Sequence, residues 1–316
     1  MNTLLLHRHS YSFEKASKIL ILMFIISMLL VFFIVSSVAA GGVATTGGQF
    51  LKIGAGARAM AMGGAQVALA DDAYALYWNP AGLSAIKRRE AIFSYMFHVQ
   101  DMKLGYLGVI TPHKKGVMGI SISYLTHDDI LGYDHTARST GWFEAGDMAV
   151  DVSYGQKVGK RFSAGANIKF ISEKIDTNQD IGIGLDLGGM FWMNKYASMG
   201  AVLRNVTLKE LKLDKKGEAL PTTLTIGIAC QIPEADLNLT CDATIPSDNN
   251  AFVNAGVEYS YQRSLTARLG VRGGPANDSA FTAGFGYSFG LFGIDYAIEP
   301  FGDMGSSHHV SVQYRF

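Results

Sequence analysis

From about residue 89 to its end, the chain breaks into short runs in which apolar residues alternate with polar or small ones. In AFTAGFGYSF (280–289), Phe281, Ala283, Phe285, Tyr287 and Phe289 share one parity. Ala280, Thr282, Gly284, Gly286 and Ser288 share the other. Successive strand side chains point to opposite faces, so a period of two means one apolar face and one polar face. LTARLGVRG sets Leu265, Ala267, Leu269 and Val271 against Thr266, Arg268, Gly270 and Arg272, and MAVDVSYG follows the same rule. The last run sets Val310, Val312, Tyr314 and Phe316 against His309, Ser311, Gln313 and Arg315.

Such runs predict strands near 89–98, 103–111, 116–125, 146–158, 161–173, 180–192, 197–206, 221–231, 235–243, 251–261, 264–273, 279–289, 291–299 and 307–316. About fourteen alternating segments of roughly ten residues, an even number joined mostly by tight turns, are the signature of an outer-membrane β-barrel. Asp151, Lys169, Asp186, Arg204, Asp236, Glu258, Arg268, Arg272, Asp295, Glu299 and Arg315 all fall on the polar parity. In a membrane barrel that face lines a wet lumen, whereas a midplane Lys or Arg on the lipid side costs about 2–4 kcal/mol. The fold class expected is therefore all-β, a membrane-spanning antiparallel barrel. Tyr314 and Phe316 on the apolar face would form a C-terminal signal for the barrel assembly machinery. Outer-membrane lipid would cover that face.

Composition agrees and excludes other classes. Lys plus Arg and Asp plus Glu both number 27, so there is no basic stripe for nucleic acid. Cys230 and Cys241 are too few for a disulfide framework and lack zinc-ligand spacing. Both carry apolar-face parity on adjacent strands, so they read as lipid-facing thiols. A turn near Pro233 would set Cys230 opposite about residue 236, with Cys241 several residues off along the hairpin, too far for a disulfide. Upstream, Lys15 and Lys18 precede the apolar run ILILMFIISMLLVFFIVSSVAAGG (19–42). A basic stretch, an apolar core and small residues up to Ala40 predict a signal peptide over 1–40. That core is long for a signal, and an uncleaved membrane anchor is the alternative.

Residues 41–88 do not alternate. ARAMAMGGAQVALADDAYALY spaces its apolar residues at helix-like intervals, interrupted by Gly63 and Gly64. An exposed-looking Trp78 and the turn Asn79-Pro80-Ala81-Gly82 follow, the proline disfavouring the α region at Asn79. A fourteen-stranded barrel is too wide for its own side chains to fill. This segment has the size of an N-terminal, partly helical plug, with the barrel at 89–316.

FLKIGAGARAMAMGGAQVALADDAYALYWNPAGLSAI (50–86) resembles the N-terminal signature of the PorV/PorQ family, within the wider FadL-like group of outer-membrane barrels. GIDYAIEPFGDMGSSHHVSVQYRF (293–316) is similar to that family's last two strands. The resemblance implies a fourteen-stranded barrel whose plug is anchored by Asn79, Pro80 and Ala81. Asp71 and Asp72 would then cap a helix or pair with lumen basic residues.

Other chemistry is weighed against plain architecture. GAGARA (54–59) fits G-x-G-x-x-A but lacks the strand-helix-strand setting and the spaced acid of a dinucleotide site. His127, Asp128, Asp129 and His135 read as polar loop residues rather than a metal site. His308 and His309, adjacent on a strand, face opposite sides. No catalytic set, metal or cofactor is expected. The resemblance implies an accessory role in type IX secretion, with the translocon, an attachment complex and exported cargo as partners. Candidate surfaces are the connectors 126–145, 207–220 and PFGDMGSS, where Gly302, Asp303 and Gly305 suit a shaped turn. The alternative is a FadL-like passive channel for hydrophobic compounds, with Phe50, Met60, Met62, Tyr74 and Trp78 lining a pocket beside the plug.

Overall fold

The computed structural model describes residues 46–98, 102–128, 130–213, 216–273 and 280–316. The predicted signal segment lies outside them. The strands are β1 (Glu90–Phe97), β2 (Lys103–Pro112), β3 (Val117–Thr126), β4 (Ile130–Tyr133), β5 (Ser139–Phe143), β6 (Ala145–Lys157), β7 (Phe162–Ile175) and β8 (Asn178–Trp192). They continue with β9 (Ala197–Lys209), β10 (Thr223–Ile232), β11 (Leu237–Pro246), β12 (Phe252–Tyr261), β13 (Leu265–Arg272), β14 (Ala280–Phe289), β15 (Phe292–Pro300) and β16 (Ser306–Arg315). All but β4 and β5 form one closed antiparallel barrel of fourteen strands, sealed by pairing β1 with β16 from Glu90–Arg315 to Phe97–His308. Barrel strands begin and end within three residues of the runs read from the sequence. The connector 126–145, expected as a plain loop, instead carries the separate hairpin β4–β5.

The alternation sorts every strand. Phe93, Leu269, Phe281, Phe285, Tyr287 and Ile294 stand exposed on the outer surface, as lipid contact requires. Asp151, Lys169, Asp186, Glu258, Arg268 and Glu299 are buried inside. Asp236 is a correction: it lies exposed in the β10–β11 turn with φ of 51°, one residue before the strand, and does not face the lumen. The thiols need two corrections. Cys230 pairs across from Leu239 and Cys241 from Ile228, so they sit on a diagonal two residues apart, and both are free. Their parity is outward, yet both are buried rather than lipid-exposed.

Connections divide cleanly by end. Turns at 113–116, 158–161, 193–196, 233–236, 262–264 and 290–291 lie at the end where β1 begins and β16 finishes, and run two to four residues. The other end holds the β4–β5 hairpin, the segment 210–222 and the connections at 247–251 and 301–305, with one two-residue turn at 176–177. Short periplasmic turns and longer extracellular loops are the rule for such barrels, so all three candidate connectors share the cell-surface end.

The hatch, residues 46–89, runs inside the barrel from the loop end to the turn end. Regular helix is limited to the single turns α1 (Ala57–Ala61) and α2 (Ala75–Trp78), with 3-10 turns at Gln49–Lys52 and Pro80–Ala85. Ala57, Ala61, Met62, Ala65, Val67, Ala75, Leu76, Ala81 and Leu83 have no accessible surface. One apolar core joins hatch residues such as Met60, Leu76 and Leu83 to Ile92, Tyr106, Ile110 and Met190 of the wall.

Glycine makes that contact possible. Gly155, Gly165 and Gly188 lie directly opposite one another across β6, β7 and β8, all with inward parity. A Cβ on Gly155 or Gly165 would overlap the Pro80 backbone, and one on Gly188 would overlap Asn79. The pattern repeats around the wall. Gly200 on β9 admits Val67, and the facing pair Gly256 and Gly270 admits Met62 and Gly63. Gly165→Leu is expected to unseat the 79–81 turn, since overpacking a filled site costs typically 1–3 kcal/mol and here the clash is with backbone. Thermolysin should then cut within 66–88 while unboiled gel mobility still reports a closed barrel. Resistance equal to wild type would contradict the fit.

Candidate functional site

The turn is built by Asn79, which is fully buried. Its Oδ1 accepts a hydrogen bond from Ala81 N (3.1 Å), and its Nδ2 donates to Val67 O (2.9 Å) and to Gly189 O of β8 (3.2 Å). One side chain thus closes its own turn, ties two hatch segments together and reaches the wall. Trp78, contrary to its exposed look in the sequence, is buried and donates from Nε1 to Ala55 O at 2.9 Å. Asp71 and Asp72 take Arg58 of the hatch itself as their basic partner, at 2.6 and 2.9 Å. Asp72 also accepts from Tyr74 N (2.9 Å), fixing the approach to α2.

Arg58 reaches outward too. Its Nε lies 2.8 Å from Glu258 on β12, which also pairs with Arg268 of β13 at 2.7 Å; Arg268 continues to Asp295 of β15 at 2.6 Å. A second chain joins Lys169 to Asp186 (2.9 Å) and to Asn205 Oδ1 (2.8 Å). Arg272 pairs with Glu299, and Arg315 with Glu90 at 3.6 Å. Asp151 accepts from Ser121 at 3.2 Å, and no ion pair reaches it among the described residues. Removing one partner of such a buried pair typically costs 3–5 kcal/mol, because the other charge is left stranded.

The loop-side end of the hatch is tied by Asp248, between β11 and β12, which sequence reasoning missed inside the polar run PSDNN. Its carboxylate accepts from Thr46 Oγ1 (2.7 Å), Gln49 Nε2 (3.0 Å) and Lys52 Nζ (2.9 Å). Burial works against the charge, but the hydrogen bonds from Gln49, Thr46 and Lys52 outweigh it and hold the pKa below the ordinary aspartate value.

Of the five residues read as one apolar pocket, Met60, Tyr74 and Trp78 pack in a single core, and Phe50 and Met62 lie apart from it. Phe50 packs in a loop-side cluster with Leu51, Leu104, Leu211 and Leu220. Tyr74 stacks near Tyr106, with ring centroids 6.1 Å apart. Met62 is pressed against Gly256. Only Met60 and Trp78 reach the narrow cavity of about 40 Å³ between hatch and wall, which also meets Lys52, Arg204 and Arg272. A larger space of about 170 Å³ shares those three cations and extends to Asn249 at the loop end. A third, of about 270 Å³ at the turn end, is polar and bordered by Arg58, Asp71, Arg263 and Arg315. The loop-side cavities thus mix cations with apolar wall residues, and the hatch's own apolar side chains are largely consumed in packing.

The remaining sequence motifs are architectural. Gly54 and Gly56 take φ of 98° and 88°, and Gly56 lies against the Tyr74 ring; the segment leads into one helical turn, not a strand-helix-strand unit. His308 bonds Tyr296 Oη at 2.7 Å while His309 is buried inside. Among the described residues no group of three or more His, Cys, Asp or Glu could hold a metal; Asp129 lies outside them.

Comparison with known proteins decides the family. The family model for type IX secretion system protein PorV matches residues 37–231. The chain belongs to the PorV family. No curated protein matches it. Among solved structures it is similar to the toluene transporter TodX of Pseudomonas putida, at 15% identity and a TM-score of 0.64 over 83% of this chain and 98% of that one. It is also similar to the Ralstonia pickettii toluene transporter TbuX (16%, 0.63, 83% and 98%) and a Pseudomonas aeruginosa FadL homologue (13%, 0.60, 88% and 100%). At these identities the likeness shows the shared barrel fold. Fold and family together place this PorV-family chain in the bacterial outer membrane.

Asp248 carries a pH prediction. A carboxylate whose folded pKa is depressed stabilises above its unfolded pKa, and the contribution is lost as pH falls through the folded value. Segment 46–52 should therefore stay protected at neutral pH and loosen only in acid. Asp248→Asn, which removes the charge behind hydrogen bonds worth about 1.5–3 kcal/mol each and replaces one acceptor by a donor, should release it at neutral pH. Thermolysin at neutral pH and pepsin in acid, both cutting beside Phe50 and Leu51, read the release. A variant as resistant as wild type would contradict the anchor.

Proposed function

We propose that this PorV-family barrel is a docking subunit of type IX secretion, holding exported proteins at the cell surface while its hatch stays seated. The observation that carries the reading is the combination of a filled lumen with an ordered hairpin on the loop end. Strands β4 and β5 pair Ile130 with Phe143 and Leu131 with Trp142. Asp134 shapes their turn by accepting from Thr136 N (2.8 Å) and Arg138 N (3.0 Å). Trp142 and Tyr133 stand 68% and 63% exposed beyond the barrel, an aromatic surface suited to protein contact. Family membership supports the same reading.

The alternative, a passive channel for hydrophobic compounds, draws on the fold shared with the toluene transporters. Lys52, Arg204 and Arg272 interrupt a purely apolar path through the loop-side cavities, where Phe252 lines the same space. Mild detergent extraction of outer membranes, affinity capture and mass spectrometry separate the two. The docking reading expects translocon, attachment-complex or cargo proteins in the captured fraction, and their depletion several-fold in the Tyr133→Ala, Trp142→Ala double variant. Recovery of the barrel alone with a co-purified hydrophobic compound would sink it in favour of the channel.

A further inference from the structure

We infer that the loop-side cavity between hatch and wall is a binding site for a small carboxylate on a compact, planar apolar body, with Arg204 as its anchor. Arg204 faces the lumen by strand alternation, and the wall beside it is irregular. In the β8–β9 ladder Leu185 faces Val206 and Leu187 faces Leu203, so Asp186 alone stands opposite both Arg204 and Asn205. This extra residue is a β-bulge, which brings Asn205 to the inner face beside Arg204. Asn205 takes φ of 58° and donates its N–H to Asp186 Oδ1 at 2.7 Å, while Arg204 turns toward the cavity.

Arg204 is nine-tenths buried, yet its Nε and Nη1 have no hydrogen-bond partner. Among the described residues no carboxylate lies within ion-pair distance of it. Asp186 is held by Lys169, and Asp242 accepts from the hatch amides of Gln66 and Val67. Instead the guanidinium lies over Tyr77 and Trp78, 5.1 and 5.5 Å from their ring centroids. Cation–π contacts offset part of the desolvation of an arginine but satisfy none of its N–H groups in the ring plane. A buried charge without a counter-ion is costly, and a carboxylate accepting from those donors removes the cost.

The surroundings define the ligand. The cavity wall contains three cations, Lys52, Arg204 and Arg272, and no carboxylate. Lys52 pairs with Asp248 and Arg272 with Glu299; Asp242 lies in electrostatic reach of Arg204 without pairing with it, so the open N–H donors of Arg204 suit a monoanion. Phe252 and Pro246 supply a flat apolar side, and Thr223 and Thr244 supply hydroxyls. The space of about 170 Å³ fits a benzoate-sized molecule. Asn249 on the β11–β12 connection borders it, so entry is from the cell-surface end. The site stands independently of the docking role.

Trp78, in ring contact with Arg204, is a built-in reporter. In full-length protein carrying Trp142→Phe and Trp192→Phe, benzoate should change Trp78 fluorescence saturably, with benzamide at least ten-fold weaker. Arg204→Gln should weaken benzoate at least ten-fold with unboiled gel mobility unchanged. Thr223→Met, which fills the cavity opposite Arg204 and keeps the charge in place, should do the same and serves if the Arg204 variant fails to fold. Acetate and inorganic phosphate are the companion probes: benzoate binding tighter than both supports the apolar wall. Absence of saturable benzoate binding, equal binding of benzamide, or binding untouched by both variants would overturn the assignment.

Discussion

Everything inside this barrel depends on how closely a segment of chain can approach a sheet. A hatch backbone can lie flat on the wall only where the wall has no side chain, and Gly155, Gly165 and Gly188 provide such a strip across three neighbouring strands. Into it fits a turn whose proline needs no amide partner and whose asparagine satisfies two carbonyls, one of them in the wall. Interiors are packed to crystal-like density, so a methyl group at one of these positions is not a small perturbation. The same contact recurs at Gly200, Gly256 and Gly270, so the hatch is held along its length rather than at one point.

Charge then fixes what shape permits. The wall chain Glu258–Arg268–Asp295 receives Arg58, and Asp248 receives Lys52, so the hatch is pinned near both ends by opposite charges. Such pairs are poor sources of raw stability but strong enforcers of position, because a misplaced hatch strands buried charges. Arg204 is a wall cation of inward parity, next to a bulge at Asn205, that finds aromatic rings and makes no ion pair among the described residues. A buried cation whose donors stay open beside a cavity marks where the molecule has room for something else.

The barrel was legible because lipid imposes a period of two on every spanning strand, and Phe281, Phe285 and Tyr287 carry it openly. The turn at Asn79 was legible from proline chemistry. The wall glycines were visible only as small residues of lumen parity; their role needed the register that aligns residues 155, 165 and 188, and register is a long-range fact. The apolar pocket failed for a related reason. Met62 and Tyr74 have the composition of a ligand site and the burial of a core, and composition does not distinguish the two. Arg204 read as one lumen charge among several, since nothing local announces that a partner is missing.

The most direct test of the central claim is hydrogen–deuterium exchange on the detergent-solubilised full-length protein. If the hatch is pressed against the glycine strips, amides across residues 57–82 should exchange as slowly as those of the barrel strands, orders of magnitude slower than the β4–β5 hairpin. Exchange of that segment at the rate of an open loop, with the strands still protected, would contradict a seated hatch.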